Sequence, residues 1–270
     1  MGILNVTPDS FSDGGRFSAG LDSAGCRIDI GRVRAAALEM LDAGVDLLDV
    51  GGESTRPGAS PVSAAEELRR IMPVVETLLD LDTIVSVDTR NASVANAALE
   101  AGVHLINDVT GLADAAMREV LAGSNAGVCL MHMRGTPHTM QLDPHYDDVV
   151  ETVRSFLVER VAMSRSAGIE TQRLCIDPGF GFGKNLAHNL NLLRNLDAIR
   201  VDDLPILVGL SRKRMIGDLT GRGPGQRLIG SVAGALLAVQ RGADIVRVHD
   251  VAATVDALKM LAAVAAVNRQ

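Results

Sequence analysis

Eight short segments rich in β-branched and aliphatic residues recur along the chain, separated by longer segments with helical periodicity. The predicted strands are residues 2–6, 46–50, 83–87, 104–107, 127–132, 173–177, 205–210 and 244–248. The predicted helices include 32–43, 64–81, 92–101, 147–167 and 230–241. This alternation predicts an α/β fold, a single (β/α)8 barrel whose functional residues lie at the C-terminal ends of the strands.

The ends of several predicted helices support this interpretation. Gly44, Gly102, Gly168 and Gly242 each precede a predicted strand, and glycine readily adopts the left-handed conformation that terminates a helix. A doubly wound open sheet is the alternative fold, but no GxGxxG turn follows the first strand. No linker or change of composition divides the sequence, so we expect one domain over residues 1–270.

Composition argues against several classes of function. The net charge is −7 and aromatic residues are 2% of the chain, so neither nucleic acid nor an anionic membrane is an expected partner. The sequence contains no membrane-length apolar stretch and no signal peptide, which predicts a cytoplasmic location. Cys26, Cys129 and Cys175 are odd in number and form no CxxC motif, so we expect reduced thiols.

Polar residues follow nearly every predicted strand. They are Asn5, Asp49, Asp88, Asn107, Asp108, His132, Asp177, Ser211, Arg212, Lys213, Arg247, His249 and Asp250. One aspartate after a strand often caps a helix or a turn. A barrel, however, gathers all of its strand ends at one mouth, so the joint pattern favours a single functional site.

The residue types at this mouth suggest a ligand with two chemical parts. Asp88, Asn107, Asp177 and Lys213 offer the donors and acceptors that a flat, nitrogen-rich heterocycle requires. A ring of salt bridges among the same residues is the structural alternative.

Residues on the last and first predicted strands indicate that the ligand carries a phosphate group. Arg247 and His249 alternate along one strand and so point the same way, where they can hold one phosphate. Asn5 offers a hard oxygen to a magnesium ion (Mg2+) that takes its other ligands from phosphates. A diphosphate is the predicted anion.

Two polar, glycine-rich loops, 7–17 and 53–60, have the composition of segments that cover an active site. Phe11 and Arg56 are unusual choices for a solvent-exposed loop. The GFGFGK sequence at 179–184 lacks the spacing of a phosphate-binding P-loop and is a weak signal. The absence of HExxH and GxSxG argues against zinc-protease and serine-hydrolase chemistry.

Motifs spread over nearly the whole chain carry a family resemblance. In order, they are GILNVTPDSFSDGG, DVGGESTRPGA, SVDT, INDV, LMHM, DPGFGFGK, VGLSRK and RVHDV. Together they make the sequence similar to the dihydropteroate synthase family of folate biosynthesis. The resemblance implies that 6-hydroxymethyl-7,8-dihydropterin diphosphate is joined to p-aminobenzoate, giving 7,8-dihydropteroate and diphosphate.

The resemblance also implies roles for individual residues. Pterin contacts fall on Asp88, Asn107, Asp177 and Lys213. Diphosphate contacts fall on Asn5 through Mg2+, Thr55, Arg247 and His249. Aminobenzoate contacts fall on Phe11, Asp13, Arg56, Pro57 and Arg214. The expected catalytic set is Asp88, Lys213, Arg247 and His249, and a homodimer and sensitivity to sulfonamides are implied as well.

Two other functions would use a similar pocket. A methyltetrahydrofolate-dependent methyltransferase would share the Asp and Asn residues but would not need a diphosphate clamp. A non-catalytic pterin-binding paralogue would not need Asn5, Lys213, Arg247 and His249 together. The first loop and the SRK sequence at 211–213 favour the synthase.

Overall fold

The computed structural model describes residues 1–7, 17–22, 25–55, 58–59, 61–136, 139–142 and 144–267. Strands and helices are numbered along the chain. Six parallel strands are hydrogen-bonded in the order β1 (Gly2–Asn5), β4 (Leu47–Gly51), β5 (Ile84–Asp88), β6 (Leu105–Asp108), β7 (Gly127–Met131) and β8 (Leu174–Asp177). Strands β9 (Leu207–Val208) and β10 (Ile245–Val246) form a parallel pair.

Two isolated bridges close this arrangement into a barrel. Ile176 at the end of β8 pairs with Ile206 before β9, and Gly2 in β1 pairs with Val248 after β10. The Ile3 amide donates to the Val248 carbonyl at 3.1 Å across the second junction. All eight predicted strands are therefore present and adjacent, which confirms the (β/α)8 barrel.

The helices surround the barrel. They are α1 (Ile30–Asp42), α2 (Ala64–Leu79), α3 (Ala92–Ala101), α4 (Ala115–Ala122), α5 (Val149–Ser166), α6 (Leu186–Arg194), α7 (Arg214–Thr220), α8 (Leu228–Gln240) and α9 (Val251–Val267). Side chains of Asp29, Ser63, Asp114 and Asp148 accept backbone N–H groups at helix N-termini. Gly102 ends α3 with φ 104°, as its position before a strand predicts. No helix in these ranges is long and apolar enough to cross a membrane.

An antiparallel hairpin precedes α1 and was not predicted. It consists of β2 (Ser18–Asp22) and β3 (Gly25–Ile28). Its two strands are short, contain glycine and lack a clear alternation of apolar and polar residues, so the sequence gives no strand signal there. Phe17, just before it, is buried in the core, and the Phe17 carbonyl accepts the Asp29 amide at 2.8 Å.

Alternation along the strands separates the helix-facing core from the barrel interior. In β4, Leu48 and Val50 are fully buried in the main apolar core, whereas Asp49 between them faces the interior. Cys129 and Cys175 are register partners on β7 and β8, and both are buried free thiols as predicted. The Cys26 side chain lies outside the described part of the structure.

Two glycines with nearly the same φ allow the cost of backbone strain to be distinguished from the cost of steric overlap when alanine replaces glycine. Gly179 has φ +68° and Gly221 has φ +69°, but a Cβ on Gly179 would overlap the His132 carbonyl oxygen, whereas one on Gly221 meets nothing within 4 Å. We expect Gly221→Ala to lower the free energy of unfolding by about 1 kcal/mol. Gly179→Ala should cost roughly 2 to 3 kcal/mol more because the backbone must move. Urea denaturation measures both changes, and equal losses would contradict the assigned overlap.

Candidate active site

A partly buried guanidinium, that of Arg247, links three strands near the barrel mouth. Arg247 Nε donates to Asp49 Oδ2 at 2.6 Å, and Arg247 Nη2 donates to Asp88 Oδ2 at 3.0 Å. The other Asp49 oxygen, Oδ1, accepts the Ser86 hydroxyl at 2.5 Å. Asp49 and Ser86 are register partners on β4 and β5 and are fully buried. One cation therefore serves two carboxylates, which come from β4 and β5.

Burial and charge shift the pKa values of these groups. Burial raises the pKa of Asp88 to about 7; Arg247 opposes this rise and Asp49 reinforces it. Burial alone would lower the pKa of Arg247, but the adjacent Asp49 and Asp88 outweigh it and raise that pKa. Arg247 is therefore a permanent cation, whereas Asp88 titrates close to neutrality.

Asp177, which is buried, and Lys213, which is partly buried, form a second charged group at the same mouth. Asp177 ends β8, and its Oδ1 accepts the Gly179 amide at 2.7 Å. Lys213 Nζ donates to the Phe180 carbonyl at 2.6 Å and lies 4.8 Å from the centre of the Phe182 ring. Burial lowers the pKa of Lys213 to about 8, and Asp177 opposes this decrease. Burial also raises the pKa of Asp177, with Lys213 opposing.

Asn107 supplies a neutral polar group between these charges. It is the register partner of Asp88 on β6, and it is buried. Its Oδ1 atom has no hydrogen-bond partner within the described ranges. Because a buried acceptor without a donor is costly, its environment fits an N–H group supplied by a ligand.

The segments after β9 and β10 hold the remaining predicted residues of the last two strands. Ser211 Oγ contacts His249 Nδ1 at 2.9 Å and accepts the His249 amide at 3.1 Å. Arg212 has φ 57°, a conformation unusual for a non-glycine residue. Its guanidinium is held by both oxygens of Asp250, at 3.0 and 2.5 Å. This ion pair fixes the turn that carries Ser211 and Lys213.

Asn5 is the last residue of β1, and Thr55 follows β4. Asn5 Oδ1 lies 3.5 Å from the position that a Cβ on Gly51 would occupy, and the Asp88 side chain is 3.7 Å from the same point. Asn5 is thus at the same rim as Asp88. Thr55 is half-buried on the loop after β4.

Not every predicted site residue lies with the polar residues at the barrel mouth. Arg214 begins α7, its side chain is 86% exposed, and its Nε lies 3.5 Å from Asp218 Oδ2. No described contact joins it to the buried residues. Four predicted residues lie outside the described residues: Phe11, Asp13, Arg56 and Pro57.

Sequence reasoning gave no role to three buried residues at this site. Asp49 was recognised only as a strand end, Ser86 was not singled out, and Lys184 lies in a motif that was set aside. A polar residue inside an apolar strand, as in LLDVG and IVSVD, was the available signal for Asp49 and Ser86. The predicted alternative was a ring of salt bridges among Asp88, Asn107, Asp177 and Lys213. In the described structure Asp88 pairs instead with Arg247, and Lys213 has no carboxylate within 4 Å.

Comparison with known proteins identifies the type of site. The sequence pattern of the pterin binding enzymes matches residues 1–249. The chain belongs to this family. It is 48% identical to the dihydropteroate synthase of Escherichia coli K12 over 264 residues, covering 97% of this chain and 90% of that protein. The family expected from the motifs is confirmed.

Solved structures of family members are also similar. The Yersinia pestis dihydropteroate synthase, in a sulfonamide drug complex, has a TM-score of 0.92 and 48% identity, covering 98% of this chain and 94% of that one. The Burkholderia cenocepacia enzyme complexed with 7,8-dihydropteroate has a TM-score of 0.87 and 46% identity, covering 100% and 92%. These matches extend over the complete barrel.

The pKa shifts predict how pterin binding depends on pH. We expect the affinity for 6-hydroxymethyl-7,8-dihydropterin to rise with pH as Asp88 ionises near 7 and to fall as Lys213 loses its proton near 8. Calorimetric titration across this range measures both limbs. Lys213→Arg should remove the alkaline limb because a guanidinium stays protonated. An unchanged alkaline limb in that variant would show that another group titrates there.

Proposed function

We propose that the barrel mouth joins 6-hydroxymethyl-7,8-dihydropterin diphosphate to p-aminobenzoate, a transferase reaction of folate biosynthesis that gives 7,8-dihydropteroate and diphosphate. The observation that carries this proposal is the meeting of Asp177, Lys213, Asn107 and Arg247 at one mouth. The similarity to dihydropteroate synthases over the chain and the product named in the Burkholderia cenocepacia structure support it.

The pterin ring is bound through its polar edge. The Asp177 carboxylate accepts the pair of N–H groups of the 2-amino-pyrimidinone edge, as carboxylates do with guanidine-like groups. Asn107 Oδ1 accepts a further N–H group, and Lys213 donates to the ring carbonyl or an imine nitrogen. These contacts select a heterocycle with donors and acceptors in this order.

The reaction breaks the bond between the pterin methylene carbon and the diphosphate oxygen and forms a bond from that carbon to the aniline nitrogen. Arg247 and His249 stabilise the charge on the departing diphosphate, while the Asp88 carboxylate stabilises positive charge on the methylene carbon. The neutral aniline nitrogen attacks with its lone pair and loses its proton afterwards. No general base is required before attack.

Magnesium fits the donor set as a mostly substrate-bound ion. In the described ranges, no three His, Cys, Asp or Glu side chains form a metal-binding group. A Mg2+ ion that takes most of its ligands from diphosphate and water needs only one hard protein oxygen, and Asn5 provides it at the rim beside Asp88. When bound, Mg2+ would neutralise leaving-group charge. The family resemblance assigns Thr55 to the same diphosphate.

The aminobenzoate subsite is assigned from the family resemblance. Phe11, Asp13, Arg56 and Pro57 remain its proposed contacts, and Arg214 offers an exposed guanidinium, next to Lys213, for the carboxylate. Sulfonamides are expected to compete with p-aminobenzoate there. The reduced thiols of Cys129 and Cys175 favour the cytoplasm as the site of action.

A homodimer is proposed through the outer helices α7 to α9. Large apolar side chains are exposed along this surface at Leu219, Leu228, Ile229, Leu237, Met260 and Val264. Ile229 is 82% exposed and Met260 is 68% exposed. Large exposed apolar side chains on neighbouring helices are typical of a subunit interface.

Two substitutions test the proposed chemistry. Asp88→Asn and Lys213→Ala should each lower the rate of diphosphate release by roughly 100-fold or more, because each removes a charge that acts on the pterin. Asp147→Asn is the matched control, since that carboxylate is fully exposed. Near-normal rates in either active-site variant would refute the assignment.

The same assay separates the alternative functions. Wild-type protein with pterin diphosphate and Mg2+ should release diphosphate at its full rate only when p-aminobenzoate is present. A methyltransferase would be indifferent to p-aminobenzoate, and a non-catalytic paralogue would bind the pterin without turnover.

The dimer is tested by measuring mass in solution. We expect light scattering to give twice the chain mass of 28.4 kDa. The double substitution Ile229→Asp and Met260→Asp should produce monomers because it places charges in the apolar surface. Leu142→Asp is the control, since Leu142 is also highly exposed (81%) but is not on α7 to α9. A wild-type monomer would contradict the proposed interface.

A further inference from the structure

The loop after β8 is held almost entirely by side chains. We call residues 179–183 the glycine loop. Each of its five carbonyl oxygens accepts a hydrogen bond from a side chain: Gly179 and Phe182 from Lys184 Nζ at 2.9 and 3.0 Å, Phe180 from Lys213 Nζ at 2.6 Å, Gly181 from Gln141 Nε2 at 2.5 Å, and Gly183 from Tyr146 Oη at 2.9 Å. A backbone held in this way depends on its donors for its shape.

The glycines explain why the loop needs external donors. Gly179, Gly181 and Gly183 have φ values of 68°, 82° and 65°, so the segment cannot form a helix or strand. Side chains on Gly179 and Gly183 would overlap the carbonyl oxygens of His132 and Arg134. The loop is therefore pressed against the backbone that follows β7.

Lys184 is the central donor of this arrangement. Its side chain is buried, with 2% of the residue exposed, and Nζ lies 2.8 Å from His132 Nδ1. Burial lowers the pKa of His132 to about 2, so its imidazole is neutral and accepts this hydrogen bond. The imidazole and the two loop carbonyls satisfy all three N–H groups of an ammonium ion. Burial lowers the pKa of Lys184 well below its usual value and Asp177 opposes this decrease, so these contacts must offset the desolvation of the amino group.

The glycine loop in turn determines where Lys213 lies. The Phe180 carbonyl accepts one Lys213 N–H group, and the Phe182 ring faces the same ammonium. The carbonyls of Gly179 and Phe182, on either side of Phe180, are bound to Lys184. A displacement of the loop would therefore move the acceptor and the ring that position Lys213.

We propose that Lys184 is a positioning residue for pterin binding: its buried amino group fixes the glycine loop to His132 and thereby places the Lys213 ammonium for the substrate. This inference rests on the proposed pterin contact of Lys213. The competing explanation is that Lys184 only stabilises the fold. The two explanations differ in whether the effect of Lys184 depends on Lys213.

A double-mutant cycle tests this dependence. Lys184→Met keeps the side-chain length and removes all three donors, and Kd for 6-hydroxymethyl-7,8-dihydropterin is measured by calorimetry, with thermal unfolding recorded for each variant. We expect Kd to rise about tenfold in Lys184→Met. In a Lys213→Met background the same change should add less than about twofold, because the group that Lys184 positions is absent.

Gln141→Met is the matched control. It removes only the donor to the Gly181 carbonyl and leaves both Lys184 hydrogen bonds, to Gly179 and Phe182, in place. Its Kd should stay within about twofold of the wild type, because the Phe180 acceptor and the Phe182 ring remain in place.

The possible outcomes separate this inference from the proposed function. If Lys213→Met binds the pterin like the wild type, the proposed contact of Lys213 is wrong and this inference falls with it. If Lys213→Met weakens binding but Lys184→Met does not, or if the two effects multiply independently, the positioning role alone is overturned. A decrease in thermal stability without a change in Kd supports the purely structural explanation.

A second variant covers the case in which Lys184→Met does not fold. His132→Leu removes the imidazole acceptor and leaves Lys184 with its two loop carbonyls and the backbone carbonyl of residue 132, at 3.5 Å. We expect Kd to rise severalfold, again only when Lys213 is present. An effect of equal size in the Lys213→Met background would overturn the proposal.

Discussion

The ion pair between Arg247 and Asp49 is the interaction on which the barrel mouth depends. Both charges are inside the barrel, and Asp49 has no exposure to solvent. Removing Arg247 would leave the fully buried Asp49 charge without a cation, which is far more costly than losing a surface pair. The pair also connects β4 to the end of β10, and Asp88 extends it to β5. Structure and electrostatics at the mouth are therefore set by the same contact.

The polar groups at this mouth keep some hydrogen-bonding capacity for a ligand. Arg247 is shared by two aspartates, Asp177 accepts a hydrogen bond from a backbone amide, and Lys213 donates a hydrogen bond to a backbone carbonyl. Asn107 retains an unpartnered oxygen in the described structure. Bringing a heterocycle and an anion into this group completes hydrogen bonds that the protein supports only in part. Polar groups that are already in position stabilise the charge that develops in a transition state, because the site does not have to reorganise during the reaction.

Sequence patterns predicted most of the fold and the identities of the buried polar residues at its mouth. All eight strands appear because each is a distinct apolar run, and Asp88, Asn107, Asp177 and Lys213 follow four of them. The β2 and β3 hairpin was missed because its strands lack alternation. The GFGFGK segment does not have the spacing of a P-loop. In the structure its lysine, Lys184, binds the His132 imidazole and the Gly179 carbonyl, a role that the sequence pattern does not indicate.

The sequence by itself determined the order of strands and helices, the polar residues that end the strands, and the family. Only the tertiary structure decided which of those residues meet. Arg247 and Asp49 are 198 positions apart, and Lys184 contacts an imidazole 52 positions away. Such pairings depend on barrel closure and on the stagger between strands, because these fix which side chains lie at the same height and within hydrogen-bond distance. Local residue patterns carry no information about that geometry.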